Sequence, residues 1–278
     1  MKFLTGCTLD YWIPGLSTFV FNVSANETAH QRVVSERLRL EPEVTPEEYV
    51  SEAGNRYHRF TLSGGYLRVR YDAEVESLPS LETPEAIGAC APNDVPLATL
   101  PYLLPSRYCQ SDQLMRLAYR EFSRYPPGYE QVNAICNWIC ANVDYLAGTS
   151  TPLTSAFDTA TARAGVCRDF AHLGIAFCRA VNIPARFVSG YAYTLQPPDF
   201  HAVFEAWLGD RWYIFDPTRR IVPENLVRIG VGRDAADVSF ALIFGPAQMT
   251  GMNVYAEAAQ TITGPAHTSE SSAAVCSA

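Results

Sequence analysis

Cys167, His201 and Asp216 are the residues whose types and positions could do chemistry together. Cys167 follows Ala164-Gly165-Val166 and opens a segment with a helical apolar face. A thiol in the first turn of a helix meets unpaired backbone N–H groups and the positive end of the helix dipole. Both favour thiolate over thiol, and the thiolate is the nucleophile. The same N–H groups can stabilise an oxyanion on an attacked carbonyl. Gly165 is expected to let a substrate main chain come close. The competing reading of such a cysteine is a buried structural thiol.

His201 and Asp216 belong to a hairpin, His201-Ala-Val-Phe-Glu-Ala-Trp-Leu, Gly209-Asp210, Arg211-Trp-Tyr-Ile-Phe-Asp216. With Gly209-Asp210 as a two-residue loop, Leu208 pairs with Arg211 and Val203 faces Asp216. His201 then lies on the face of Asp216 as its diagonal neighbour, about 7–8 Å away between backbones. A carboxylate on one ring nitrogen fixes the tautomer and leaves the other nitrogen to act as a base. A register slip of one residue would put the two on opposite faces. Taken separately, His201 could simply hydrogen-bond at a strand start and Asp216 could cap the turn before Pro217. Spacing does not bring Cys167 to His201, because they sit on different elements.

The elements that must position these residues differ along the chain. Leu67 to Glu76 alternates apolar and charged residues, a strand with one wet face. Ser63-Gly64-Gly65 reads as a hairpin turn joining it to Arg59–Leu62, and Ser17–Ser24 and Val34–Leu40 read as further strands. Residues 1–77 are therefore expected to form an all-β sandwich or small barrel. Six prolines between Leu78 and Pro105 block helix and central strand, which makes 78–105 a linker. Helical spacing follows at Gln113–Tyr125, Gln131–Val143, a short stretch before Gly165, and Cys167–Val181. Strands are then expected at Ala185–Tyr193, His201–Leu208, Arg211–Phe215 and near Val254–Ile262. Residues 106–263 form the expected catalytic core, and the small, polar 264–278 a disordered tail with no role for His267 or Cys276. Strands followed by helices and more strands place the chain in the α+β class.

The 278 residues are 48% hydrophobic and 18% charged, an ordinary globular balance. The net charge of −8 argues against a duplex nucleic-acid binder and against attraction to anionic lipid. The first residues, MKFLTGCTLDYWIPG, lack the uninterrupted apolar run of an export signal, and no apolar run is long enough for a membrane helix. A cytoplasmic protein with reduced thiols is expected. The eight cysteines show no C-x-x-C blocks, so no zinc site is expected. Cys136 and Cys140 read as helix-face thiols. Ile229-Gly-Val-Gly-Arg is too short for a phosphate loop, and no acidic calcium loop is visible. No metal or cofactor is expected.

Thr161-Ala-Arg-Ala-Gly-Val-Cys167-Arg-Asp-Phe-Ala-His-Leu, the later Arg179-Ala-Val-Asn-Ile-Pro-Ala-Arg-Phe-Val-Ser-Gly-Tyr, His201-Ala-Val-Phe-Glu-Ala-Trp and Arg211-Trp-Tyr-Ile-Phe-Asp216-Pro-Thr218 resemble the core of the transglutaminase-like superfamily, in the family's order Cys, His, Asp. The β-rich front resembles the N-terminal region of bacterial members. The resemblance implies a papain-like core, with helices packed on an antiparallel sheet, behind a small all-β domain. It implies Cys167 as nucleophile, His201 as general base and acid, and Asp216 as orienting carboxylate. Tyr145 becomes the candidate for helping the oxyanion, and Arg168 a candidate for lining the cleft. One departure is visible: the family often has Trp two residues after the His, where Val203 stands here, and the Trp comes later at Trp207.

The implied activity is acyl transfer from an amide through a thioester on Cys167, with a peptide or protein substrate: a cysteine peptidase or amidase when water accepts. The alternatives are a protein-glutamine acyl transferase, when an amine accepts, and a catalytically silent binding module. Arylamine acetyltransfer from coenzyme A uses the same three residue types, but its motif is not recognisable around Cys167.

Overall fold

The computed structural model describes residues 1–259 and 273–276. The first half of the fold is a sandwich of two four-stranded antiparallel sheets. Its strands are β1 (Lys2–Ile13), β2 (Ser17–Phe21), β3 (Gln31–Glu41), β4 (Glu47–Val50), β5 (Arg56–Leu62) and β6 (Gly65–Ser77). One sheet runs β1-β6-β3 and the other β2-β5-β4, with one late strand added to each. The core between them is aromatic, and the rings of Phe19, Phe21 and Phe60 stack at 5.6–5.8 Å.

The turn at Ser63-Gly64 is not a hairpin. β5 and β6 lie in different sheets, so this turn is a corner between layers. β1 was absent from the expected strands. Its buried face is Phe3, Thr5, Cys7, Leu9, Tyr11 and Ile13, whereas Leu4 and Trp12 face outward.

The chain then adds β7 (Ser80–Glu82), α1 (Ser111–Phe122), α2 (Tyr129–Asn142), β8 (Asp144–Tyr145), α3 (Ala156–Ala162), β9 (Ala164–Gly165) and α4 (Cys167–Ala180). Next come β10 (Ala185–Ala192), β11 (Phe200–Leu208), β12 (Arg211–Phe215), β13 (Leu226–Gly232), β14 (Ala241–Phe244), β15 (Gln248–Ala258) and β16 (Ala274–Cys276). A six-stranded sheet in the order β13-β10-β11-β12-β16-β7 carries the helices. α4 is buried on all sides from Asp169 to Ala180, because α1, α2 and α3 cover what β10 and β11 do not. This is the α+β arrangement expected, with helices on an antiparallel sheet behind an all-β region. Among the described residues, no helix is long and apolar enough to cross a membrane.

Three boundaries need correction. β14 pairs with β2 and β15 with β1, so residues 241–258 complete the sandwich and do not extend a core running to 263. The proline-rich 78–105 is more than a linker, since β7 forms one edge of the six-stranded sheet. Within the expected tail, β16 pairs with β12 and β7, and Cys276 is buried. Residues 264–272, with His267, and 277–278 lie outside the described residues.

The two halves share a seam. β13 is the other edge of the six-stranded sheet, and side-chain amides stand where a neighbouring strand would pair. Asn55 donates to the Val231 carbonyl and accepts from its N–H, both at 2.8 Å. Gln31 does the same at Arg228, at 2.9 and 2.7 Å. A buried edge left without such partners would strand main-chain donors and acceptors. Tyr191 adds an O–H bond of 2.6 Å to the Val23 carbonyl.

Candidate active site

The β11–β12 hairpin closes at Gly209-Asp210. Gly209 has φ +58°, the left-handed first position of a two-residue turn of type II′. The register follows from it: Leu208 faces Arg211 and Phe204 faces Phe215. Asp216 follows directly after the last of these pairs, and His201 reaches it across the hairpin, with Nε2 3.2 Å from Oδ2.

Both side chains are buried. Asp216 accepts far more than the imidazole. Its Oδ1 takes the Thr218 N–H at 2.9 Å and the Thr218 hydroxyl at 2.7 Å. Its Oδ2 also takes the N–H groups of Arg220 and Ile221, each at 3.1 Å. Burial alone would favour the neutral acid. His201 and the Thr218 bonds win, and hold the carboxyl below the usual range. Burial likewise opposes charge on His201. Asp216 first, then Cys167, outweighs it and raises the imidazole from 6.5 to about 10. With Nε2 on Asp216, the free ring position is Nδ1, which is buried and, among the described residues, has no hydrogen-bond partner.

Cys167 begins α4 and is half-buried, open to an approaching molecule. The Cys167 thiol is one of the groups that raise the imidazole, which sets the two near each other. The helix start is held by Asp169, whose Oδ2 accepts the Val166 N–H at 2.9 Å. This changes the reading of Gly165. A Cβ there would sit 2.7 Å from the Asp169 Cβ, so the missing side chain makes room for the capping carboxylate. Elsewhere, burial pushes the Cys109 and Cys136 thiols up to about 12, which leaves them inert packing groups.

Tyr145 faces Gly165 in the parallel β8–β9 pair, and its phenol interacts with both the thiol and the main chain of Cys167. Burial, then the neighbouring thiol, pushes that phenol up to about 12, so it is a neutral donor. Arg168 is drawn elsewhere. Its guanidinium donates to Ser150 Oγ at 3.0 Å and to the Thr151 carbonyl, and lies over the Tyr108 ring. It pins the 148–155 loop against α4. Trp207 packs on Trp212 across the hairpin, six residues along the strand from His201. Val203 lies in a purely apolar cluster with Ile214.

Two residues of the site went unforeseen. Thr218 holds the far oxygen of Asp216. Arg220 lies with its guanidinium carbon 3.9 Å from the centre of the Tyr145 ring. The dipeptide Pro217-Thr218 after the acid was the available signal for Thr218. A cavity of about 340 Å³ opens behind Asp216, lined by Tyr129, Asn133, Phe215 and Arg219. Neither Cys167 nor His201 lines it, so it is not the cleft in front of the thiol.

Comparison with known proteins shows the family of the chain. Residues 117–217 match the family model described as the transglutaminase-like superfamily. Residues 1–100 match that of the bacterial transglutaminase N-terminal domain. A solved structure of a putative cysteine protease from Cytophaga hutchinsonii is 42% identical, with a TM-score of 0.94 over 99% of this chain and 97% of that one. An uncharacterized protein of Mycobacterium leprae is 31% identical over 146 residues, 49% of this chain and 52% of that protein. One from Mycobacterium tuberculosis is 32% identical over 143 residues, 46% of each. The matched stretch spans about half the length of these curated relatives.

Proposed function

The chain belongs to the transglutaminase-like superfamily, and on that premise we propose that it is a cysteine peptidase or amidase working through a Cys167–His201–Asp216 triad. One observation carries the reading. Asp216 occupies one nitrogen of a buried imidazole at 3.2 Å, and the thiol at the start of α4 is the reactive group beside that ring. Such a ring holds a proton that it can give and take back.

The thiolate of Cys167 attacks the amide carbonyl carbon, and the carbonyl oxygen becomes an oxyanion. Tyr145 and the Cys167 N–H, which interact with each other beside the thiol, are the donors assigned to it in this reading. The C–N bond breaks, the amine leaves with the proton of the His201 imidazolium, and a thioester remains. Neutral His201 then takes a proton from water, hydroxide attacks the thioester, and the acid departs as the thiolate and imidazolium re-form. An amine in place of water would make the same site an acyl transferase. The similarity to a putative cysteine protease supports hydrolysis. The expected substrate is a peptide or protein.

Alkylation by iodoacetamide, read by mass spectrometry, tests the nucleophile. Cys167 should be modified at neutral pH at least tenfold faster than the exposed Cys140. Equal rates would refute the proposal. Trapping the thioester from a cell lysate, with Cys167→Ala as control, would then identify the acyl group.

A further inference from the structure

We propose that Arg220 sets the specificity of this site by binding a carboxylate that the amide substrate carries close to its scissile bond, an inference that rests on the acyl-transfer reading above. The position of Arg220 is fixed at three points. Its main-chain N–H is bonded to Asp216. Its guanidinium lies over Tyr145, which faces Gly165 two residues before the nucleophile. One terminal N–H reaches the Gln196 carbonyl at 3.3 Å.

Stacking on a ring uses the face of the guanidinium and leaves its in-plane donors available. Arg220 is exposed, and among the described residues no carboxylate forms an ion pair with it. Two neighbouring acids are engaged otherwise. Asp216 takes the Arg220 main-chain N–H, and Asp199 is turned to the Phe200 N–H at 2.7 Å.

Two other cations near the site are committed. Arg168 holds the 148–155 loop, and Arg219 is spent on Asn133 and Asn137 of α2. Arg220 is thus an exposed guanidinium on Tyr145 that, among the described residues, pairs with no carboxylate, in a chain of net charge −8. Its fork geometry suits a carboxylate. The preferred substrate is therefore an anionic peptide, with a free terminal carboxylate or an acidic side chain next to the bond attacked.

The test needs no known substrate. Iodoacetate and iodoacetamide alkylate a thiolate by the same displacement: the S–C bond forms, the C–I bond breaks and iodide leaves. They differ in a carboxylate against a neutral amide. The iodoacetate-to-iodoacetamide rate ratio at Cys167 should exceed the ratio at Cys140 by about tenfold, the discrimination of one charge-assisted contact. Iodoacetate should also saturate and be competed by acetate. Arg220→Gln and Arg220→Ala should bring the Cys167 ratio down to that of Cys140, and Arg220→Lys should keep part of it. A wild-type ratio equal to that of Cys140 overturns the proposal. So does a loss in Arg220→Ala that slows both reagents alike, which would make Arg220 only a prop for Tyr145. Fast iodoacetamide labelling of Cys167 without iodoacetate preference defeats this inference alone. Slow labelling by both defeats the nucleophile, and the inference with it.

Discussion

β11 carries two buried ionic sites four residues apart on one face, and they are built in opposite ways. At Glu205, one carboxylate lies between Arg186, at 2.5 Å, and Arg228. Trp212 covers the outer guanidinium at 4.1 Å. Burial pulls the two arginines down, to about 10 and about 9, yet both remain charged at neutral pH. At Asp216, the carboxylate meets one titratable ring, and its remaining bonds come from three main-chain N–H groups and one hydroxyl. The two guanidiniums on Glu205 are permanent charges with no proton to exchange. The Asp216 site keeps an imidazole with a nitrogen and a proton to spare. Buried charge is architecture where every partner is permanent, and reactivity where one partner titrates beside an open group.

The largest effect should come from Asp216→Asn. The amide keeps the shape but removes the charge that stabilises the imidazolium. The rate of Cys167 alkylation, and of any turnover later found, should fall by about 10²–10⁴-fold, with the fold intact by circular dichroism. A loss under threefold would make Asp216 as structural as Glu205 and break the comparison.

Glu205→Ala tests the other side. Two buried guanidiniums lose their counter-charge, and removing one partner of a buried pair costs about 3–5 kcal/mol. Denaturant unfolding should show that loss, while Cys167 in the remaining folded protein keeps its alkylation rate. A stable but unreactive variant would put Glu205 in the chemistry.

How much of this contrast was legible in the sequence depends on the kind of contact. The hairpin register, and with it the shared face of His201 and Asp216, follows from a two-residue loop and a period of two. The meeting of Cys167 and His201 does not, because it depends on how α4 settles on β10 and β11. The pairing of Arg186 with Glu205 was hidden because the irregular 193–199 connection gives no register between their strands. The donors that hold Asp216 are mostly main-chain groups, which leave no mark in residue type. β1 escaped because polar Thr5 is buried while Leu4 and Trp12 are exposed, which blurs the alternation.

Acidity offers a third test. The folded-state pKa of His201 is raised from 6.5 to about 10, so its stabilisation is complete below pH 6.5 and is lost as pH rises toward 10. That of Asp216 is lowered from 3.8, so its stabilisation is complete above pH 3.8 and is lost as pH falls through the lowered value. The pair should contribute most between about pH 4 and 6.5. The wild type should lose stability from pH 6.5 to 10 relative to Asp216→Asn, whose imidazole lacks the charge that raises it. Parallel stability curves over that range would place His201 outside any ion pair.

The smallest expected effect belongs to Thr218→Val, and it separates saturation from necessity. The substitution removes the 2.7 Å hydroxyl bond to Asp216 Oδ1 and leaves the 2.9 Å main-chain bond to the same oxygen. A bond to a charged group is worth about 1.5–3 kcal/mol when its partner is left bare, and less when another donor remains. Alkylation at Cys167 should therefore slow by no more than about tenfold. The acid limb of its pH profile should move upward, because Asp216 loses one of the bonds that lower it. If Thr218→Val matched Asp216→Asn, the main-chain donors would not hold the carboxylate by themselves. The hydroxyl would then be an obligatory part of the site, as each guanidinium is at Glu205, and the difference between the two ends of β11 would narrow to the imidazole alone.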